Sequence, residues 1–147
     1  MSGWLSTHVL DTANGIPAAG IKLSLWQMET PALKIRSKQT QSEQTQSKGE
    51  SHRPGFQYLK AVTTNADGRT DTPLLEGEDF QCGCYEIIFS VGDYFARHSL
   101  TKQEDSLPKD YPFLDIVPLC FGIADINAHY HVPLLVSPWS YSTYRGS

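Results

Sequence analysis

The chain has 147 residues, the size of one domain, with 39% hydrophobic residues and a formal net charge of −4 from 12 basic and 16 acidic side chains. That balance gives no electrostatic ground for a nucleic-acid or anionic-membrane partner. No apolar run approaches the roughly 18 residues that span a bilayer, and MSGWLSTHVLD at the start has neither a basic n-region nor an apolar h-region, so neither a membrane span nor a secretory signal is expected.

In chain order, residues 5–10 alternate loosely and are rich in β-formers, which predicts a first strand. DTANGIPAAG follows, dense in turn residues around Asn14, Gly15 and Pro17. Residues 21–28 predict a strand with one buried face: Ile21, Leu23, Leu25 and Gln27 fall on one side, Lys22, Ser24 and Trp26 on the other. Residues 36–54 contain no hydrophobic side chain. Such Gln/Ser/Thr-rich composition buries too little apolar surface to offset the entropy of ordering, so it reads as a flexible loop within one domain.

Residues 56–64 predict a strand and NADG a turn, with a short edge strand over 69–75. Residues 84–91 predict a further strand. GDYFARHSL leaves room for a two-turn helix with Tyr94, Phe95 and His98 on one side, and EDSLPKDYP reads as loop. Pro118 marks the strand over 114–124 as an edge or a bulge. Strands over 130–136 and 141–145, joined by SPW, close the chain. About seven or eight short strands separated by turns predict an all-β, two-sheet sandwich with one short helix.

Cys82, Cys84 and Cys120 are an odd number with no C-x-x-C pair. They are expected to be reduced and buried or half-buried, which suits an intracellular compartment.

The final hairpin holds most of the chemistry. In HYHVPLLVS, His129, His131 and Pro133 share one strand face; Tyr130, Val132 and Leu134 share the other. On the last strand Tyr141, Thr143, Arg145 and Ser147 alternate with Ser142, Tyr144 and Gly146, and an α-carboxylate on Ser147 would add a negative charge. His8 is a further strand imidazole, and Arg69 follows a tight turn. Two histidines near neutral pH can divide the acid and base work of a hydrolysis. An arginine fork suits a planar anion.

The bland alternatives stand beside these readings. A strand histidine can be a structural hydrogen bonder, a post-turn arginine a solvated charge, and a terminal tyrosine packing. His8, His129 and His131 could in principle form a metal trio, but no carboxylate or thiol obviously completes it, so a metal is not expected. There is no phosphate loop and no G-x-S-x-G. His52 and His98 receive no role.

LSTHVLDTANGIPA, TTNADGRTD and HYHVPLLVSPWSYSTYRGS, in that order, resemble the transthyretin-like 5-hydroxyisourate hydrolases of urate breakdown. YEIIFSVGDYF and FLDIVPLCFGIAD fit in spacing and character. The resemblance spans residues 1–147 as one domain, apart from a polar insertion at about 33–56. It implies a sandwich of two four-stranded sheets with one helix. It also implies a homotetramer, a dimer of dimers with active sites in the channel between dimers. The implied reaction opens 5-hydroxyisourate with water to 2-oxo-4-hydroxy-4-carboxy-5-ureidoimidazoline without metal or cofactor.

The resemblance carries catalytic roles onto His8, Arg69, His131 and Ser147, and substrate binding onto His8, Arg69, Tyr144, Arg145 and Gly146. A transthyretin-type small-ligand carrier is the rival reading, which leaves His8, His131 and the Tyr-Arg-Gly-Ser tail unexplained. The compartment is expected to be cytoplasmic, with the peroxisome as alternative. The insertion is expected to be a neutral loop, cut by protease within residues 36–53 without loss of activity.

Overall fold

The computed structural model describes residues 2–29, 53–98 and 111–147. The described residues form nine strands, one α-helix and a short 3-10 turn over Gly77–Asp79: β1 Trp4–Asp11, β2 Ile16–Pro17, β3 Lys22–Met28, β4 Phe56–Thr63, β5 Leu75–Glu76, β6 Gly83–Ser90, α1 Val91–Arg97, β7 Ile116–Ile123, β8 His129–Val136 and β9 Tyr141–Thr143. Two sheets result. One runs β2-β1-β8-β9, with β5 added on β1; the other runs β4-β3-β6-β7. The first therefore has five strands where four were expected. The extra members, β2 and β5, are two-residue pieces too short to show as a periodicity.

Alternation explains the core. Leu5 and Val9 of β1, Leu23 and Leu25 of β3, Ile87 and Phe89 of β6, Val117 and Leu119 of β7, and Val132 and Leu134 of β8 all point between the sheets and are buried. β1 and β8 pair in parallel along their whole length, Trp4 with His129 through Asp11 with Val136. The Thr7 hydroxyl donates to the Val132 carbonyl at 2.7 Å inside the sandwich and ties the two strands together. Helix α1 leaves directly from the end of β6, and its Tyr94 hydroxyl donates to Asp11 Oδ2 at 2.8 Å. Burial alone would push the Asp11 carboxyl up. Hydrogen bonds from Asn14, Tyr94 and the amides of Ala13 and Asn14 outweigh it and hold the group below its usual value.

Four expectations change. Residues 69–75 do not form a strand; Arg69 makes a single bridge to His8, and pairing with β1 resumes only at Leu75. Val91 is the first helical residue, not the last strand residue. β3 is not covered on one face alone: the register shifts at Leu25/Trp26, and Trp26 is buried. Arg53 covers it, with its guanidinium 5.0 Å from the Trp26 ring and 4.4 Å from Phe56, and pairs with the buried Glu86 at 2.9 Å. The cysteines, expected to be buried or half-buried, are exposed and unpaired. Cys84 and Cys120 occupy outward positions of β6 and β7, because Tyr85, Ile87 and Leu119 take the inward ones.

Pro118 lies on β7, an edge strand that among the described residues pairs only with β6. The polar insertion expected at 33–56 falls outside the described residues up to residue 52, as does the loop expected over 104–112 up to residue 110. At the insertion's end, Arg53 is anchored as described and Phe56 already opens β4.

Candidate active site

The outward face of the first sheet is built by the same alternation that fills the core. On β1, Trp4, Ser6 and His8 point away from the sandwich while Leu5, Thr7 and Val9 point in. The parallel register sets His129 beside Trp4, His131 beside Ser6, and Pro133 beside His8. Strands far apart in sequence thus place three imidazoles and a hydroxyl on one surface. Ser6 Oγ lies 2.8 Å from His129 Nε2 and 2.8 Å from His131 Nδ1. The His129 ring stacks on Trp4, with centroids 4.2 Å apart and planes 19° from parallel.

Arg69 reaches this face from the turn after β4. The Asn65 side-chain oxygen accepts from the amides of Asp67 and Arg69, which closes the turn. Gly68 has φ +72°, and a Cβ there would stand 2.5 Å from the Val9 carbonyl oxygen. Only glycine lets the turn press against β1, where Val9 N–H donates to Gly68 O at 2.8 Å and Arg69 bridges to His8. Arg69 itself is exposed, and no carboxylate neutralises it among the described residues.

The other wall is the segment after β9. Gly146 N–H donates to the His131 carbonyl at 2.8 Å. A Cβ on Gly146 would lie 2.5 Å from His131 Cδ2, so the backbone is packed flat against the imidazole. The register that pairs Leu134 with Thr143 and His131 with Gly146 sets Tyr144 across from Pro133, on the histidine face, where it is 60% exposed. Arg145 goes the other way: its guanidinium lies 4.2 Å over the ring of Tyr130, a core-facing residue. Ser147 is exposed at the end of the segment.

The electrostatics of the face favour neutral imidazoles. His131 is pushed below the usual histidine value by burial, then by the positive charges of Arg69, His129 and His8. His8 is lowered by burial and by Arg69, against opposition from the Asp67 backbone and carboxylate. His129 is lowered by burial. A neutral imidazole beside a free guanidinium can take a proton from water while the cation stabilises an oxyanion. Among the described residues, no three His, Cys, Asp or Glu side chains are arranged to hold a metal ion.

His8, Arg69, His131, Tyr144 and Gly146 are therefore gathered on one face. Arg145 is directed to the opposite face, and Ser147 makes no side-chain hydrogen bond among the described residues. Sequence reasoning passed over Ser6 and Trp4, although both share a strand face with His8 by the period of two.

The sequence pattern of the HIUase/Transthyretin family matches residues 5–146. The chain belongs to this family. It is 48% identical to the 5-hydroxyisourate hydrolase of Ralstonia nicotianae, over 99% of both chains. It is 46% identical to 5-hydroxyisourate hydrolase 2 of Rhizobium meliloti, over 99% of this chain and 98% of the relative. Among solved structures, 5-hydroxyisourate hydrolase of Klebsiella pneumoniae superposes with a TM-score of 0.62 at 28% identity, over 99% of this chain and all of the other.

Proposed function

We propose that the protein hydrolyses 5-hydroxyisourate to 2-oxo-4-hydroxy-4-carboxy-5-ureidoimidazoline. The observation that carries this reading is the placement of His8 and His131, both held below the usual histidine value, on one sheet face beside Arg69, which no carboxylate neutralises among the described residues. Full-length similarity to proteins named for that activity supports it.

In the reaction, an imidazole takes a proton from water and the hydroxide oxygen bonds to a ring carbonyl carbon. The carbonyl oxygen becomes an oxyanion beside the Arg69 guanidinium. The oxyanion collapses, the ring C–N bond breaks, and the departing nitrogen receives the proton from the imidazolium. His8 and His131 share the acid and base work, Tyr144 holds the planar ring, and Gly146 shapes the wall beside His131. Arg145 anchors the tail through Tyr130, and the exposed Ser147 hydroxyl is free to hydrogen-bond substrate or its water. A carrier would make no use of two neutral imidazoles around a free guanidinium.

The histidine face is an open surface on which Tyr144 is 60% exposed and Trp4 41%. A cleft of about 340 Å³ next to it, lined by Ser2, Gly3, Pro73, Glu76 and Gly77, shares only Trp4 with the site. A homotetramer whose copies close over this face would supply the missing walls and cover the aromatics. Three exposed, unpaired thiols favour a reducing compartment, the cytoplasm before the peroxisome.

The test is a urate oxidase-coupled ultraviolet assay. The hydroxyisourate band should decay faster in proportion to added protein; an unchanged decay rate overturns the proposal.

A further inference from the structure

A serine hydroxyl carries one proton and two lone pairs. Ser6 Oγ is shared at 2.8 Å by His129 Nε2 and at 2.8 Å by His131 Nδ1. It can donate to only one of them, so the other imidazole must donate to it. Two arrangements satisfy the geometry when both rings are neutral. If Ser6 donates to His131 Nδ1, the His131 proton sits on Nε2, and this ring has no lone pair left for a substrate water. If Ser6 donates to His129 Nε2, the His131 proton sits on Nδ1 and its Nε2 lone pair is free.

The packing around His131 makes the second arrangement useful. Nδ1 is turned toward β1, and Cδ2 lies against the Gly146 backbone. Nε2 is at the outer tip of the ring, without a hydrogen-bond partner among the described residues. The stack on Trp4 fixes the plane of the His129 ring and keeps its Nε2 aimed at Ser6, where it can serve as the acceptor. The charged and titratable groups that act on His131 are Arg69 from the turn, His8 from β1 and His129 from its own strand; all three are cationic when charged, and none offers an alternative acceptor for Nδ1–H.

We propose that Ser6 and His129 are positioning residues that hold His131 in its Nδ1–H tautomer, leaving Nε2 as the proton acceptor for the hydrolytic water. This rests on His131 acting as a base in the proposed hydrolysis. Neither Ser6 nor His129 touches the reacting atoms. Their effect is on the fraction of His131 that is competent, hence on kcat and not on KM. When His131 becomes an imidazolium, its Nδ1–H still donates to Ser6 and Ser6 still donates to His129, so no hydrogen bond has to be rearranged during turnover.

The test compares wild type with Ser6→Ala, Ser6→Thr, His129→Phe and His131→Ala. Imidazole 15N NMR reads the tautomers and hydroxyisourate turnover reads kcat and KM. His129→Phe keeps an aromatic ring on Trp4 but removes the acceptor, freeing Ser6 to donate to His131. The expected result is an Nδ1–H tautomer for His131 in wild type. Ser6→Ala and His129→Phe should lose it and lower kcat by about tenfold or more with KM little changed. Ser6→Thr, which keeps the hydroxyl, should restore both readouts. Wild-type tautomer and kcat in His129→Phe and Ser6→Ala, with His131→Ala inactive, overturn the positioning roles alone. Full turnover in His131→Ala overturns the underlying reading of the site and the inference with it.

Discussion

Gly146 shows how far a single side chain decides this site. Its backbone lies against the His131 ring so closely that a methyl group would meet Cδ2 at 2.5 Å and Cγ at 3.1 Å. Gly146→Ala is expected to tilt the imidazole away from Ser6 and lower kcat/KM by about tenfold to a hundredfold, since misplacement by an ångström is costly in a preorganised site. Thermal unfolding should change little, because the displaced ring is at the surface; steady-state kinetics with a melting curve checks both. The resemblance to a family implied substrate binding by Gly146; the fold adds its close packing against His131. His8 and His131 were legible because imidazoles on alternating strand positions are chemically conspicuous. Ser6 was not, because a serine in a strand carries no signal until β1 is known to lie parallel to a strand 125 residues away. Arg145 could not be placed from alternation alone, since either face of the last strand offers a polar aromatic or a guanidinium.

Between residue and fold stands the turn that delivers Arg69. Gly68 combines φ +72° with a 2.5 Å approach to the Val9 carbonyl, so any side chain is strained twice over. Gly68→Ala is expected to destabilise the protein by about 1–3 kcal/mol. It should also reduce kcat/KM more than the lost stability explains, as Arg69 moves off His8. Chemical denaturation and kinetics below the transition separate the two effects. The glycine in NADG was readable as a turn residue; its second task, letting a turn dock on β1, was not, because docking is a long-range event. The same limit explains Trp26. Period-two alternation put it on the solvent side of β3, and it is on that side. It is nonetheless buried, because Arg53 returns from the far end of a polar stretch to cover it and to pair with Glu86.

At the scale of the molecule, the sandwich was the most legible feature, since most strands announced themselves by alternation and by their turns. The parallel β1–β8 pairing that assembles the site had no local signature. This assembly makes stability depend on pH. His8, His129 and His131 are all held below the usual histidine value in the folded state. The unfolded chain, with histidines near 6.5, therefore binds more protons in the window below about pH 6.5. Stability is unaffected by these groups above that pH and falls as the pH drops through the lowered folded values. Asp11, lowered in the fold, adds a further loss at still lower pH. The melting temperature is expected to be lower at pH 5.5 than at pH 7.5, and a His8→Gln/His131→Gln variant should show a smaller difference.

The proposed hydrolysis depends on His8 and His131 acting on water beside Arg69. The most direct measurement is hydroxyisourate turnover by His8→Ala and His131→Ala, each verified as folded by circular dichroism. Each is predicted to lower kcat/KM by about a hundredfold or more. Wild-type turnover in both folded variants would contradict the account.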